Sequence, residues 1–212
     1  MTCGVAAHAS AAPAPTLFRL TVVGTAHQEW SFTAAPVPDG ACQRTETSEG
    51  IRDVKFRTKR PVIVRLSGGR VLPVVVGGIT GTVTLGGANT SERTCGASGT
   101  RQIADCVQTK RSFAGATLSA ASPRPGVLGL KNIAKVDLAT ADCPLEPADV
   151  IMRPLGPTPK LLRLPKAALT ERRVARLTVG ATRTQRKLYG APESGHLDER
   201  SQWNLRFDRV GH

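Results

Sequence analysis

The chain has 212 residues, a formal net charge of +13 and an aromatic content of only 4%. It contains no run of about 18 to 20 apolar residues, so no segment has the composition of a membrane-spanning helix. Its many Val, Thr, Gly and Pro residues are typical of short strands joined by tight turns, and we expect an all-β fold. The positive charge favours an anionic partner, although GC-rich codons also produce a surplus of Arg, Ala, Gly and Pro.

Residues 1–15 are rich in Ala and Pro and lack the basic and long apolar regions of a complete signal peptide. Ala7-His8-Ala9 nevertheless has the small-x-small form of a signal-peptidase cleavage site. We therefore expect residues 1–15 to be a disordered lead, the remnant of a signal peptide, and residues 16–211 to form a single domain. The predicted location is extracellular or in the cell envelope.

The first predicted strand is Thr16–Gly24, in which apolar and polar side chains alternate with the period of two of a strand that has one buried face. Alternation resumes at Trp30 and Phe32, after the polar residues 25–28. The second alternating segment predicts either a hairpin partner of the first strand or its bulged continuation.

The middle of the chain predicts short strands separated by polar or glycine-rich turns. Paired glycines suit such turns because hairpins require residues with positive φ. The strands predicted here are residues 51–57, 62–66, 70–76, 79–85 and 109–119. The turns and loops predicted here are residues 45–50, 67–69, 77–78, 88–99 and 122–126, the last a long loop rather than a domain linker.

The C-terminal third ends in a strand, 201–210, that alternates as the first one does. Its large apolar side chains are Trp203, Leu205 and Phe207, and we expect them to close the core against the N-terminal strand. The other elements predicted here are strands at 127–130, 135–138 and 174–180, an irregular Pro-rich stretch at 144–159 and one short helix at 165–173. About ten to twelve short strands predict an antiparallel β-sandwich of the immunoglobulin-like kind.

Four cysteines lie in the predicted folded part of the chain, at spacings that do not suit a metal site: Cys42, Cys95, Cys106 and Cys143. An even set of this kind is typical of exported disulfide proteins. Four cysteines allow three connectivities, and we expect Cys42 to pair with Cys95 and Cys106 with Cys143. The alternative is four reduced cysteines in a cytosolic core.

Six segments carry a resemblance to a known group of proteins. They are Trp30-Ser-Phe32, Arg57-Thr-Lys-Arg-Pro-Val62, Asp105-Cys106, Cys143-Pro144, Leu164-Pro165 and Trp203-Asn-Leu-Arg-Phe-Asp-Arg209. In these segments, which span most of the chain, the sequence resembles uncharacterised exported all-β proteins of high-GC Gram-positive bacteria. The resemblance implies an exported all-β protein and implies no activity and no functional residue.

Two stretches concentrate basic residues. Residues 52–70 contain seven basic residues and one aspartate, and residues 160–187 contain nine basic residues and one glutamate. Because few aromatic residues accompany them, sequence-specific binding of nucleic acid is not expected. Solvated charge is one explanation of these stretches, and an anion-binding surface is the other. The residues predicted for that surface are Arg57, Lys59, Arg60, Arg172, Arg173 and Arg176.

Few residues suggest catalysis. His27 with Glu29, and His196 with Asp198, would offer metal ligands or catalytic groups if the two segments met in the fold, although solvated side chains are the usual state of such residues. The chain contains no Gly-x-Ser-x-Gly elbow, no P-loop and no dinucleotide-binding glycine motif. We expect no catalytic residue, no metal site and no cofactor.

The sequence as a whole predicts an exported, monomeric, non-catalytic binding or structural domain. Its expected partners are anionic polymers of the cell envelope, which the basic surfaces would contact. The alternative is an extracellular, hydrolase-like enzyme whose catalytic residues are dispersed along the chain.

Overall fold

A computed structural model of the chain describes residues 14–133, 155–164, 174–185 and 195–211. These residues form eleven antiparallel strands, and no helix occurs within the same ranges. The predicted all-β antiparallel class is confirmed, whereas the helix predicted at 165–173 lies outside the described residues. The strands are β1 (Thr16–Thr33), β2 (Val37–Asp39), β3 (Cys42–Thr58), β4 (Val62–Ser67), β5 (Arg70–Val71), β6 (Val74–Cys95), β7 (Ser98–Arg124), β8 (Val127–Asn132), β9 (Leu162–Arg163), β10 (Val174–Gln185) and β11 (Gly195–Arg209).

The first and last strands lie side by side in the sheet. The strand order is β10-β11-β1-β3-β6-β7-β8-β9, while β2 pairs with β3, and β4 pairs with β1 and β5. β11 pairs with β1 from Phe18 to Phe32 without a shift in register. β4 and β3 share the other edge of β1. The first and last strands therefore contribute to one core, as predicted, and residues 25–28 continue β1 as part of a single long strand.

One buried cluster joins distant parts of the sheet. Along β1, β3 and β11 the buried residues occur at every second position, which gives these strands an inner and an outer face. Phe207 and Ala175 from one end of the sheet belong to the same cluster as Leu128 and Leu162 from the other end. The sheet therefore folds over on itself as a sandwich.

Aromatic rings on the inner face cover glycines on neighbouring strands. One row crosses five strands as Trp203, Gly24, Phe56, Gly81 and Phe113. The ring centroids of Phe56 and Trp203 lie 4.7 Å apart. A Cβ added at Gly24 would lie 2.4 Å from Cζ of Phe56, so the ring occupies the space that a side chain would need. Rings over glycines are a known way to stabilise strands that carry glycine.

A short segment without strand structure covers part of the inner face. The carbonyl of Pro157 accepts hydrogen bonds from Nε1 of Trp203 at 3.1 Å and from Oγ of Ser201 at 2.5 Å. Both donors are buried, so these bonds replace the water that folding removes. The segment around Pro157 thus holds the polar atoms of β11 against the core.

Several predicted turns are parts of long strands. Residues 77–78 form a bulge inside β6, where the register against β7 shifts and Gly78 has a φ of +65°. Residues 45–50 lie in β3, and most of residues 88–99 lie in β6 and β7. The turns predicted at 45–50 and 88–99 were wrong because none of the residues 42–47 or 88–105 is buried, and the buried Ser48 and Gly50 are not apolar, so no apolar alternation marks the strands.

The predicted long loop at 122–126 is a tight hairpin connection instead. Arg124 pairs with Val127, which leaves Pro125 and Gly126 as the turn, and Gly126 has a φ of +73°. Pro followed by Gly is the sequence that a type II turn favours. β7 and β8 are therefore direct neighbours in the sheet.

Candidate anion-binding surface

The outer face of the sheet carries the candidate residues. It is the side away from the core, to which the odd-numbered residues of β1 and β3 and the even-numbered residues of β10 and β11 point. Whether a residue has an odd or an even number on its strand therefore decides which charges of the two basic stretches lie on this face.

The first basic stretch contributes the end of β3 and the turn that follows it. Arg57, Lys59 and Arg60 are all exposed. The backbone amide of Lys59 donates to the carbonyl of Gly78 at 2.9 Å, which fixes the turn against β6. Three cations predicted for the surface thus lie together at one end of the sheet.

The second basic stretch reaches the same face through β10. Arg176 lies opposite Arg206 on β11, and Arg206 lies opposite Thr21 on β1. In the next row along the strands, Val23 of β1 lies opposite Arg57 of β3. Arg176 and Arg57 are therefore brought to one end of one face, although they come from separate parts of the chain. Arg172 and Arg173 lie outside the described residues.

We call this region the basic end and define it by its exposed cations. Sequence reasoning did not place Arg19, whose position in β1 puts it on the outer face, opposite Ile63 of β4. The alternation of β1 was the signal that could have placed it. The members of the basic end are Arg19, Lys55, Arg57, Lys59, Arg60, Arg65 and Arg176.

The cations of the basic end are not held in ion pairs among the described residues, although Asp208 lies opposite Arg19 in the register of β1 and β11. Arg206 pairs with Asp208, at 2.9 Å between Nη2 and Oδ1. Within the described part of the chain, no member of the basic end forms an ion pair. Elsewhere on the surface, Arg93 pairs with Asp39 at 2.7 Å. The basic end therefore keeps an excess of positive potential that attracts anions.

One charge of the first basic stretch is not on the surface. Arg52 is only 1% exposed, because its even number places it on the inner face with Val54 and Phe56. Its Nε donates to Oε1 of Gln28 at 2.6 Å. Arg52 therefore adds to the charge of the stretch 52–70 but not to a basic surface, as its even number, shared with Val54 and Phe56, could have indicated.

Arg52 belongs to a buried polar row that crosses four strands. Gln28 lies opposite both Arg52 and Glu199, and Glu199 lies opposite Arg183. Glu199 accepts hydrogen bonds from Nε2 of Gln28 at 2.5 Å and from Nη1 of Arg183 at 3.1 Å. Because buried charges are tolerated only when they are paired and hydrogen-bonded, this row fixes the register of the strands that contribute to it.

The histidine and acid residues of interest also meet on the outer face. Glu29 lies opposite Asp198, and His196 lies opposite Ser31 in the same pair of strands. Nδ1 of His27 lies 2.8 Å from Oδ1 of Asp53, a carboxylate that can orient the imidazole. The two sequence segments are thus neighbours, as the metal-site hypothesis required.

Among the described residues, these groups do not form a metal centre. No group of three or more His, Cys, Asp or Glu residues there is arranged to hold a metal ion. A hydroxyl or thiol hydrogen-bonded to His27 would be a candidate nucleophile, and none of the described residues forms such a bond. His27 and Asp53 instead line a shallow cavity of about 610 Å³ with Lys55 and Arg200. An adjoining cavity of about 530 Å³ shares Lys55 and includes Arg57, so depressions lead into the basic end.

The disulfide between Cys42 and Cys95 is present, as predicted, with a Cα to Cα distance of 4.4 Å. It joins β3 to β6 beside two tight turns, Gly40-Ala41 and Gly96-Ala97. This part of the sheet buries no side chain, so a covalent link takes the place of a core. The bond between Cys106 and Cys143 stays a prediction, because Cys143 lies outside the described residues.

Comparison of the chain with protein families, with curated proteins and with solved structures finds no match. Among the described residues, no helix is long and apolar enough to cross a membrane.

Proposed function

We propose that the protein is an exported, non-catalytic binding domain that adheres to anionic components of the cell envelope through the basic end of its outer face. One observation carries the proposal: exposed cations from both basic stretches gather on one end of one face without carboxylate partners. Such a surface attracts phosphate and carboxylate groups over a distance set by the ionic strength.

Export is supported by the bond between Cys42 and Cys95, because cytosolic thiols are normally kept reduced. An antibody raised against the purified protein would locate it in fractions of the native cells. We expect it in the envelope or the medium, with the disulfide intact. Recovery of a reduced protein from the cytosol alone would contradict export.

Binding to immobilised polyphosphate, a linear chain of phosphate groups, tests the electrostatic part of the proposal. The double variant Arg57→Glu with Arg176→Glu reverses two charges of the basic end. Each cation near an anionic surface is worth about 1 kcal/mol, so we expect this variant to bind at least about tenfold more weakly. Binding of the wild-type protein should also be lost in about 0.5 M NaCl, where the screening length falls to a few Å.

Arg101→Glu is the matched control, because Arg101 is exposed on β7 and lies outside the basic end. We expect it to weaken binding only slightly, through its effect on net charge. Because Arg101→Glu changes the net charge by half as much as the double variant, a control loss at least half as large in free energy would show that net charge alone governs binding and would contradict a defined surface.

A further inference from the structure

Exposed aliphatic side chains are interspersed among the cations of the basic end. Val23 is 45% exposed, Ile63 47%, Leu17 37% and Val174 38%. All four lie on the outer face, on β1, β4 and β10. The basic end is therefore an apolar surface as well as a cationic one.

The register places three of these aliphatic side chains directly beside arginines, whereas Val174 lies opposite Asp208. Leu17 lies opposite Arg65, and Ile63 lies opposite Arg19. Val23 lies opposite Arg57 in the same way. Because side chains directly opposite each other on one face of a sheet are close neighbours, each of these three arginines has an aliphatic side chain next to it.

We propose that the anionic partner of the basic end is a phospholipid surface, with the arginines at the headgroup phosphates and Val23, Ile63 and Leu17 at the boundary with the acyl chains. This inference rests on the proposed function and specifies its partner. A hydrated polyanion such as a wall polymer would gain little from contact with the aliphatic side chains. A lipid interface would contact both the cations and the aliphatic side chains, because peripheral binding combines buried apolar area with attraction to anionic lipids.

The length of the arginine side chain suits this arrangement. Arginine can lay its methylene groups along apolar surface while its guanidinium stays with phosphate and water. Arg57 and Arg65 can therefore reach the headgroups while the aliphatic side chains opposite them contact the lipid. Each of these pairs offers a lipid interface a charge and an apolar group side by side.

Vesicle sedimentation with paired variants tests the inference on the full chain. The lipid variant is Val23→Thr with Ile63→Thr, which removes aliphatic groups and keeps residues that favour strands. The probe is a vesicle of phosphatidylglycerol and phosphatidylcholine, with pure phosphatidylcholine and soluble polyphosphate for comparison. The matched control is Ile103→Thr, since Ile103 is 56% exposed and lies on β7, away from the basic end.

We expect the lipid variant to bind anionic vesicles about tenfold more weakly than the wild-type protein, at unchanged affinity for polyphosphate. Ile103→Thr should bind both probes as the wild-type protein does, and no form should bind pure phosphatidylcholine tightly. Circular dichroism would confirm that each variant is folded.

The other outcomes separate this inference from the proposed function. If the lipid variant binds anionic vesicles like the wild-type protein, while Arg57→Glu with Arg176→Glu does not, the lipid inference fails and the proposed function stands. If the wild-type protein binds neither probe, both fail. If sedimentation of the protein without vesicles shows a wild-type dimer that the lipid variant does not form, the face is an interface between two copies and the lipid inference is overturned.

Discussion

Replacement of Gly50 by alanine tests whether the inner face depends on rings that lie directly over glycines. Gly50 of β3 lies opposite Trp30 of β1, and an added Cβ would lie 2.2 Å from Cζ2 of Trp30 and 2.7 Å from two other ring atoms. Carbon atoms pack best at about 3.5 to 4.0 Å, so the ring would have to move by more than about 1 Å. Trp30 is only 1% exposed, so its neighbours in the core would have to move with it.

We expect Gly50→Ala to lower the free energy of unfolding by about 2 to 4 kcal/mol, at or above the usual range for overpacking, because the ring is enclosed. Urea denaturation followed by circular dichroism would measure the loss. Gly180→Ala is the control, since a Cβ there would meet only the carbonyl oxygen of Ser201, at 3.6 Å. It should be neutral or stabilise the protein by up to about 1 kcal/mol.

A double variant identifies the ring as the cause. The three atoms nearest to the added Cβ all belong to Trp30. Trp30→Leu should therefore relieve the clash, and the effects of Gly50→Ala and Trp30→Leu should be less than additive. A change below about 0.5 kcal/mol for Gly50→Ala, or additive effects, would refute the proposed packing of ring over glycine.

Three further predictions concern the buried row and the cysteines. Glu199→Ala should lower the free energy of unfolding by about 3 kcal/mol, because it leaves an arginine and an amide of the buried row without their acceptor; an unchanged urea midpoint would contradict this. Cys42→Ser with Cys95→Ser should lower stability by up to about 4 kcal/mol in the same assay, and a variant as stable as the wild-type protein would argue against the role of the link. Peptide mapping without reductant should recover Cys106 linked to Cys143, since the bond between Cys42 and Cys95 leaves these two as the remaining pair of the four cysteines; a free thiol at either cysteine would contradict the bond.

The sheet could be predicted from the sequence where one face is buried. The alternation of Phe18, Leu20 and Val22, and that of Trp203, Leu205 and Phe207, predicted both strands and their shared core. Leu20 indeed lies opposite Phe207 and Val22 opposite Leu205. Burial leaves a sequence pattern because each inward position must be apolar or fully hydrogen-bonded.

Strands without a buried face could not be predicted in this way. The ends of β3, β6 and β7 near the disulfide are polar on both sides, so they resemble turns in sequence. Gly77 and Gly78 likewise form a bulge rather than a hairpin, because β6 continues past them to pair with β7. Whether such a segment forms a strand, a bulge or a turn depends on the strand that pairs with it, and a single sequence does not reveal that strand.

The candidate surface was partly predictable. Arg57 is exposed because it has an odd number, as Lys55 does, and Arg52 is buried because it has an even number, as Phe56 does; residues two apart on a strand lie on the same face. That Arg57 and Arg176 lie at the same end of one face could be known only from the strand order, since β11 and β1 lie between their strands. Charge runs can therefore be found in a sequence, whereas the face that they share appears only in the fold.

Chemical footprinting of lysines tests the central claim most directly. Lys55 and Lys59 belong to the basic end, whereas Lys131 and Lys160 are exposed elsewhere on the protein. The protein would be acetylated briefly, free and bound to phosphatidylglycerol vesicles, and each lysine followed by mass spectrometry. We predict that bound protein is protected at Lys55 and Lys59 and that Lys131 and Lys160 react as in the free protein. Equal protection at all four lysines, or protection only at Lys131 and Lys160, would contradict binding through the basic end.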